Sequence, residues 1–425
     1  MRHTSGPSDP SGTDETAPTL AAGRSGTAHA LATFVPPPLA RRRGIALCLS
    51  GGGYRAALFH LGGLRRLHEV GVLAQLDEIT SVSGGSITAA VLAYALAASG
   101  GPTLTDLDAQ LARPLRAFTR RNIRTPALVR RLLPWNWFRA DTGARQLVAA
   151  YRSMVPDFAC SQLPVRPDFV FCSTDMAFGV SWTFTRAAVG DYMAGTMAPR
   201  LADDVATAVA ASSCFPPIFN PLDPRVSAAD LTGGQYDKPD RAAHIAGLRL
   251  TDGGAYDNLG LEPAWKGRSV VLVSDGGGPF EASSDQGLVW RIGRYTDILY
   301  RQVGALRKRW LIASFIAGAM QGTYWGVAGA TSNYDQAAPG YPDDVADELI
   351  ARIRTDLDAF SDAEAAVLEN HGYALADAAV QRHVPGLIAT PAPFRVPNAA
   401  WDWTHIAEVR AALAKSHERK LLGRW

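Results

Sequence analysis

Residues 44–98 read GIALCLSGGGYRAALFHLGGLRRLHEVGVLAQLDEITSVSGGSITAAVLAYALAA, and this stretch decides the predicted fold. Its first apolar run, Gly44–Ser50, has the continuous pattern of a strand that is buried on both faces of a parallel sheet. After three glycines the apolar residues recur at helical spacing, and a second strand and helix follow. The predicted elements are strand 44–50, helix 54–70, strand 79–82 and helix 86–98. This βαβα order predicts an α/β fold with a parallel sheet.

Further predicted elements follow along the chain. Strand-like runs occur at 169–173, 181–185, 248–251 and 269–274. The second of these runs is the candidate hairpin partner of the first. Helical patterns occur at 203–214, 286–309 and 343–370, and a helical, arginine-rich insertion occupies 103–160. We therefore predict a three-layer α/β/α core with a mainly parallel sheet and helical insertions.

The length and composition suit a large globular domain. The chain has 425 residues, 47% of them hydrophobic, and a net charge of +2, which gives no reason to expect a nucleic-acid partner. We predict a disordered leader at 1–40, a catalytic domain at 41–395 and a C-terminal helical extension at 396–425. The leader has neither the apolar core nor the charged start of a signal peptide.

Two further features bear on the compartment. The four cysteines lack metal-like or redox spacing, and three of them lie in apolar or small-residue runs, which suits buried thiols in a reducing compartment. The uncharged run 310–334 carries Gln321 and several glycines. We interpret it as a buried helix end followed by a strand, rather than as a membrane span.

Ser83 lies where a predicted strand meets a predicted helix, within Ser81-Val82-Ser83-Gly84-Gly85. A serine on such a sharp turn exposes its hydroxyl above the sheet, and small neighbours two positions away on either side let the backbone turn that tightly. The usual pattern is Gly-x-Ser-x-Gly, and here Ser81 replaces the first glycine. The alternative interpretation is a Ser/Gly-rich turn without a catalytic role.

Gly51, Gly52 and Gly53 close the first strand and open a helix. Backbone N–H groups at such a helix start favour an anion, either a phosphate or the oxyanion of an ester under attack. The loose Gly-x-Gly-x-x-Ala pattern also fits a dinucleotide site, which needs an acidic residue at the end of the next strand. Asp77 and Glu78 precede that strand instead, so the dinucleotide interpretation is disfavoured.

A carboxylate, Asp252, ends the short strand-like run 248–251 and precedes Gly253 and Gly254. Asp-Gly is among the commonest turn dipeptides, so this feature alone is weak. A serine nucleophile needs a base, and an aspartate at the same edge of a parallel sheet can supply one directly. We therefore expect Asp252 and Ser83 to lie together at one sheet edge.

Taken together, these elements resemble the patatin-like and cytosolic phospholipase A families. The run 51–55, Gly-Gly-Gly-Tyr-Arg, resembles their oxyanion loop, and Ser83 lies in a segment like their nucleophile elbow. The run 252–254 resembles their Asp-Gly-Gly/Ala motif. The run 211–219, ASSCFPPIF, is similar to their Ala-Ser-x-x-x-Pro segment. The resemblance covers about residues 44–280.

The resemblance implies a serine acyl-ester hydrolase acting on lipids, of phospholipase A or lysophospholipase type, with a catalytic dyad of Ser83 and Asp252 and no histidine. The implied oxyanion hole consists of Gly51, Gly52 and Gly53, and the implied supporting residues are Arg55, Gly85, Gly253 and Gly254. Neither a metal nor an organic cofactor is expected. The alternatives are a catalytically silent lipid-binding or scaffold protein of the same fold, and a peptidase or acyltransferase with the same dyad.

Arg55 and His60 follow the glycine loop closely. Arg55 either orders the loop or lies near the negative charge of the substrate, as similar arginines do, or it is a solvated residue at a helix start. His60 lies at least one helical turn from Tyr54, and we interpret it as a packing residue.

The segment 109–140 contains eight arginines and no acidic residue, and Trp135, Trp137 and Phe138 lie near its end. This composition is typical of a surface that meets anionic lipid headgroups. The alternative is a solvated helix face whose arginines pair with the acidic helix predicted at 343–370. We expect a cytoplasmic protein with a lipid or acyl-ester substrate, and peripheral membrane contact through 109–140 is one of these two interpretations.

Overall fold

The part of the chain that the structure describes is built around a nine-stranded sheet. The computed structural model describes residues 39–132, 142–215, 219–280, 282, 284–285, 287–335 and 337–418. The strands are β1 (Ile45–Leu49), β2 (Glu78–Val82), β3 (Asp168–Asp175), β4 (Val180–Phe184), β5 (Val189–Asp191), β6 (Gly195–Met197), β7 (Leu250–Asp252), β8 (Val270–Asp275) and β9 (Gln321–Gly326). Their order is β6-β5-β4-β3-β2-β1-β8-β9, and β7 also pairs with β3.

The strand directions divide the sheet into two parts. Strands β3, β2, β1, β8 and β9 are parallel neighbours and form the central part. Strands β4, β5 and β6 continue from β3 as an antiparallel meander. The pairing of β3 with β4 confirms the predicted hairpin, and the parallel central part agrees with the predicted sheet.

Helices connect and cover these strands. The α-helices of the described residues are α1 (Gly53–Glu69), α2 (Gly84–Ser99), α3 (Arg113–Thr119), α4 (Arg124–Leu132), α5 (Thr142–Arg152), α6 (Val205–Ser213), α7 (Arg241–Ala246), α8 (Gly254–Asp257), α9 (Leu261–Gly267), α10 (Leu288–Ile316), α11 (Asp343–Val345), α12 (Asp362–His383) and α13 (Ile406–Leu413). Short 3₁₀ and π turns lie between some of them.

The core of the protein has three layers. Side chains of a strand alternate between the two faces of a sheet, and those of β1 are buried on both faces. Leu47 and Leu49 pack in the cluster that includes residues of α1, α2 and α12. Ala46 and Cys48 pack in a second cluster with residues of α9 and α10. The predicted α/β/α arrangement is therefore confirmed.

The predicted helix at 343–370 is wrong. Helix α11 and a five-residue π turn are followed by the non-helical segment 351–361, and α12 begins only after it. Carbonyl groups of this segment accept hydrogen bonds from the backbone N–H of Tyr54 and, at two residues, from the side chain of Arg55, so they do not enter a helix ladder. Ser361 then starts α12 through a capping box. Helix α12 packs against α1 and is buried along most of its length rather than amphipathic.

The run 310–334 is partly as predicted. Helix α10 ends within it and β9 follows, so the predicted helix end and strand are confirmed. The helix end is not buried, however, because the side chains of Ile312 and Ile316 are exposed. None of the helices in the described part of the chain is long and apolar enough to cross a membrane.

The division into domains stays a prediction. Residues 1–38, most of the predicted leader, lie outside the described residues, as do 133–141 within the arginine-rich insertion. The described parts of 103–160 contain α3, α4 and α5, and 396–425 contains α13. All four cysteines are buried and free of disulfides, whereas the sequence predicted burial for three of them.

Candidate active site

Two strands that share one edge of β3 bring Ser83 and Asp252 together. β2 pairs with β3 in the parallel direction, and this pairing ends where Val82 lies opposite Cys172. β7 pairs with the next residues of β3 in the antiparallel direction, and Asp252 lies opposite Ser173. Because β4 occupies the other edge of β3 over these residues, β2 and β7 must lie end to end on the same edge. Their C-terminal ends therefore meet, and the residues at these ends are adjacent although they are far apart in sequence.

This arrangement corrects one part of the sequence prediction. Asp252 does lie at the sheet edge beside Ser83, but β7 runs antiparallel to β3 rather than as a further parallel strand. A carboxylate reaches the serine because β7 approaches β2 head to head. The sequence pattern of a strand does not contain its direction within the sheet.

The backbone at Ser83 is strained in the way that a nucleophile elbow requires. Ser83 has φ 50° and ψ −115°, a conformation that residues with a Cβ rarely adopt. It caps α2 directly after β2, so its side chain projects from a sharp strand-to-helix turn. The two glycines that follow are tightly enclosed, because a Cβ on Gly84 would collide with Gly53 and a Cβ on Gly85 with the Leu49 carbonyl.

Ser212 of α6 holds this turn in place. Its Oγ accepts a hydrogen bond from the backbone N–H of Ser83 at 2.8 Å and donates to the carbonyl of Cys172 at 2.6 Å. The Cys172 carbonyl is available to Ser212 because Cys172 lies at the point on β3 where the C-terminal ends of β2 and β7 meet. Ser86 Oγ lies 2.9 Å from Ser212 Oγ and extends the network into α2. The strained elbow is thus tied to β3 through one buried hydroxyl.

Asp252 is buried and only partly satisfied by hydrogen bonds. Its Oδ1 accepts a hydrogen bond from the Gly254 N–H at 2.8 Å. Its Oδ2 has no partner of good geometry among the described residues. Burial raises the pKa of Asp252 to about 6, against the opposing effects of the Gly254 N–H and of the nearby Ser83 hydroxyl. An unpartnered carboxylate oxygen with a raised pKa beside a serine hydroxyl is suited to accept a proton.

The glycine loop lies directly against the elbow. Gly52 has φ 146° and caps α1, a conformation that favours glycine. The N–H of Gly51 donates to the carbonyl of Asn258 at 3.0 Å and is therefore engaged. Within the described residues, the N–H groups of Gly52 and Gly53 donate to no backbone or side-chain acceptor. The close approach of Gly84 to Gly53 brings the start of α2 beside these free donors.

Arg55 and His60 support the loop from inside. Arg55 is buried and donates to the carbonyl of Gly276 at 3.0 Å as well as to two carbonyls of the segment 351–361, so it is not a solvated residue at a helix start. His60 Nε2 lies 2.9 Å from the Ser50 carbonyl. Its Nδ1 lies 2.7 Å from Ser274 Oγ of β8, and burial lowers the pKa of His60 to about 4, so the buried ring is neutral and is hydrogen-bonded at both nitrogens. Among the described residues, neither Ser83 nor Asp252 is hydrogen-bonded to a histidine.

The comparison with known families agrees with this geometry. The model of the patatin-like phospholipases matches residues 47–265, slightly more than half of the chain. The chain belongs to the patatin-like phospholipase family. The matched residues include the glycine loop, the elbow and Asp252.

Solved structures with similarity to this patatin-like chain come from human and bacterial proteins. A human GIVD cytosolic phospholipase A2 in complex with methyl gamma-linolenyl fluorophosphonate and terbium chloride has 17% identity and a TM-score of 0.36, and the match covers 56% of this chain and 41% of that one. VipD from Legionella pneumophila has 14% identity and a TM-score of 0.33, and the match covers 81% of this chain and 67% of VipD. The chain thus spans less than half of the human protein's length. No curated protein sequence matches it.

The sequence prediction misses three residues of the patatin-like site: Ser212, Asn258 and Tyr300. Ser212 lies in the Ala-Ser segment quoted above, so the signal was present but carried no assigned role. Asn258 follows α8, binds the Gly51 N–H through its carbonyl, and accepts a hydrogen bond from the hydroxyl of Tyr300 in α10 at 2.9 Å. A Cβ on Gly254 would collide with both side chains, which explains why a glycine stands there. A Cβ on Gly253 would likewise collide with the Cys172 carbonyl.

The arginine-rich segment 109–140 lies partly outside the described residues, which do not include Trp135, Trp137 and Phe138. Within the described residues, three of its arginines form ion pairs with carboxylates of 343–370: Arg116 with Glu369, Arg120 with Asp362, and Arg124 with Asp356 and Asp358. The pairing is that of the second interpretation, but Arg124 and its two carboxylates are buried rather than solvated, and these carboxylates lie in the non-helical segment 351–361. In the described chain as a whole, no cluster of three or more His, Cys, Asp or Glu side chains could hold a metal ion.

Proposed function

We propose that this patatin-like protein is a serine hydrolase of lipid acyl esters, with Ser83 as nucleophile and Asp252 as its base. The observation that carries the proposal is the head-to-head meeting of β2 and β7 on one edge of β3, which sets a strained serine beside an unpartnered, buried carboxylate oxygen. Family membership supports lipids as the substrate class.

The first half of the reaction forms an acyl-enzyme. Asp252 Oδ2 takes the hydroxyl proton of Ser83 as the Oγ attacks the ester carbonyl carbon, and the carbonyl oxygen becomes an oxyanion. The free N–H groups of Gly52 and Gly53, together with the N–H of Gly84, are proposed as its donors. Removing one good donor of this kind costs about 3–4 kcal/mol of transition-state stabilisation. The intermediate then collapses, and the alcohol leaves with the proton from Asp252.

The second half releases the fatty acid. Water attacks the acyl carbon of the Ser83 ester while Asp252 accepts a proton from it, and collapse of the second tetrahedral intermediate returns the proton to Ser83 Oγ. An aspartate is a weak base for a serine hydroxyl, because their intrinsic pKa values lie far apart. Burial narrows this difference by raising the pKa of Asp252. Positioning and the backbone donors must supply most of the remaining acceleration.

Labelling with a fluorophosphonate probe tests the assignment of the nucleophile. We expect the probe to modify Ser83 and no other residue, and we expect Ser83→Ala to lose both the label and the hydrolysis of a p-nitrophenyl acyl ester. Ser99→Ala is the matched control, because Ser99 is an exposed serine at the end of the same helix and should keep both. Ester turnover that survives in Ser83→Ala would overturn the proposal. A folded wild-type protein without label or turnover would favour the catalytically silent lipid-binding alternative.

A further inference from the structure

Helix α10 has an apolar stripe on its exposed side. The stripe consists of Leu288, Tyr295, Leu299, Leu306 and Trp310, all of them exposed. With 100° between successive residues of a helix, these five positions lie within a sector of about 60°. Leu299 and Leu306 keep 69% and 59% of their surface accessible, so no other part of the described chain covers them. Surface helices normally turn their apolar side inward.

The opposite side of α10 is attached to the protein through both apolar and polar groups, and Leu311 is buried in the second core cluster with Phe315 packed against it. Tyr300 donates to Asn258, Arg307 lies 3.6 Å from Asp257, and Lys308 Nζ lies 2.6 Å from a carboxylate oxygen at the end of β8. Several charged side chains of α10 thus join the apolar ones in the attachment, and the apolar stripe lies on the outer side. An apolar patch of this kind on a protein surface indicates a binding site.

The charge of α10 selects the kind of partner. The helix contains six basic residues and one acidic residue, and all of the basic residues except Arg309 form ion pairs with carboxylates of the described chain. Arg291 and Arg309 are exposed and flank the stripe on the same side, with Arg291 paired to Asp285. Basic side chains beside an apolar stripe with Tyr295 and Trp310 are typical of a helix that lies in the interface of an anionic membrane. Two copies of α10 packed along their stripes would bring like charges together, so a second copy of the chain fits less well.

The stripe also lies close to the candidate active site. Tyr300, on the attached side, contacts Asn258, whose carbonyl binds Gly51 of the glycine loop. The stripe is therefore separated from the site by about one helix diameter, roughly 10 Å. Phe215 is exposed and packs edge-to-face on Tyr300 at a centroid distance of 6.0 Å, so the apolar surface continues toward the site.

We propose that the outer stripe of α10 docks on an anionic lipid surface and holds the active site next to it. The partner is a lipid interface because the proposed function acts on lipids, and the inference rests on that function. In the docked state the leucines and aromatic side chains enter the acyl boundary, and the flanking arginines contact the headgroups. The segment 109–140 is a separate surface, and three of its arginines form four ion pairs with carboxylates of the protein.

Vesicle sedimentation with a matched pair of variants tests the proposal. Leu299→Ser/Leu306→Ser should bind phosphatidylglycerol-containing vesicles about tenfold or more weakly than wild type, because two leucine side chains no longer enter the lipid. Val165→Ser/Leu201→Ser is the control, since these residues are also exposed and apolar but lie outside α10, and it should bind as wild type does. Both variants should hydrolyse a soluble ester at the wild-type rate, and added salt should weaken wild-type binding.

Two results would overturn the docking proposal. One is equal vesicle binding by the α10 variant and wild type. The other is a change from dimer to monomer in sedimentation velocity without a change in vesicle binding, which would assign the stripe to a second copy of the chain. If the variant does not fold, hydrogen exchange of wild type decides: vesicles should slow exchange in the peptides of 288–316, and unchanged exchange there would overturn the proposal.

The docking proposal and the proposed function fail in different ways. Ser83→Ala should sediment with vesicles as wild type does, because the stripe is intact. If Ser83→Ala binds vesicles and still hydrolyses the soluble ester, the function fails while the docking surface stands. If wild type is labelled at Ser83 but the α10 variant binds vesicles normally, the docking surface fails while the function stands.

Discussion

Asp252 sets the expected pH dependence of hydrolysis. Burial raises the pKa of Asp252 to about 6, and only the ionised carboxylate can take the proton of Ser83. We therefore expect kcat/KM for a soluble ester to fall tenfold per pH unit below about 6 and to be level above it. A rate profile measured between pH 4 and pH 8 checks this. An acidic limb near pH 4 would mean that the base is an ordinary exposed carboxylate.

The same carboxylate should lower the stability of the fold. In the unfolded chain Asp252 loses its proton near pH 4, whereas the folded protein retains it up to about pH 6. The unfolded state therefore binds fewer protons in this window, and the stability falls as the pH rises through it, by at most about 3 kcal/mol. Asp252→Asn removes this effect, so we expect it to be inactive but more stable than wild type at pH 8.

Urea unfolding at pH 4 and pH 8 measures this difference. The excess stability of Asp252→Asn should be present at pH 8 and largely absent at pH 4, where the wild-type carboxyl is protonated. A variant that is less stable than wild type at both values would show that the carboxylate stabilises the fold through contacts, contrary to the expectation.

At the scale of the elements, α1 and α12 cross at glycines. A Cβ on Gly62 would collide with the carbonyl of Glu369, and a Cβ on Gly372 with the carbonyl of Phe59. We expect Gly62→Ala to lower the free energy of unfolding by about 1–3 kcal/mol, because the two helices must separate to admit the methyl group. Gly63→Ala is the control on the same helix, since its nearest neighbour, Trp325 Nε1, lies at an ordinary 3.4 Å. It should be neutral or stabilising by up to about 1 kcal/mol.

Urea unfolding of the two glycine variants decides between packing and helix propensity. Both replacements raise the helix propensity of α1 equally, so any difference between them reports the crossing. Because the segment 351–361 binds Tyr54 and Arg55, which directly follow the glycine loop, and α12 begins after this segment, Gly62→Ala should also slow ester hydrolysis. Equal stability of the two variants would show that α1 and α12 can separate freely.

For the molecule as a whole, the segment 109–140 provides a second test of membrane contact. If this segment docks on lipid, Arg130→Glu/Arg131→Glu should weaken binding to anionic vesicles by about tenfold or more, because each basic side chain contributes about 1 kcal/mol. Hydrolysis of a soluble ester and the thermal midpoint should not change. If the arginines instead serve ion pairs within the fold, the reversal lowers the thermal midpoint and leaves vesicle binding unchanged. Vesicle sedimentation beside a melting curve distinguishes the two.

The distribution of correct and incorrect predictions has a physical cause. The strand within Gly44–Ser50, the strand-to-helix turn at Ser83 and the strand end at Asp252 depend on short-range patterns, and the structure has each of these local elements where predicted. The helix at 343–370 was wrong because its apolar spacing continues through a segment whose carbonyls bind residues of α1 instead. A contact between distant parts of the chain overrode a local preference.

The sequence by itself determined the α/β class, the order of the central elements, and the residue types of the candidate site, since periodicity and turn chemistry are local properties. Only the tertiary structure decided that β7 meets β2 head to head, that Ser212 and Asn258 hold the elbow and the glycine loop, and that α10 turns an apolar stripe outward. Periodicity identifies the residues that share a face. Which face meets the core, and which strand lies beside which, follows from packing and hydrogen bonds between segments far apart in the chain.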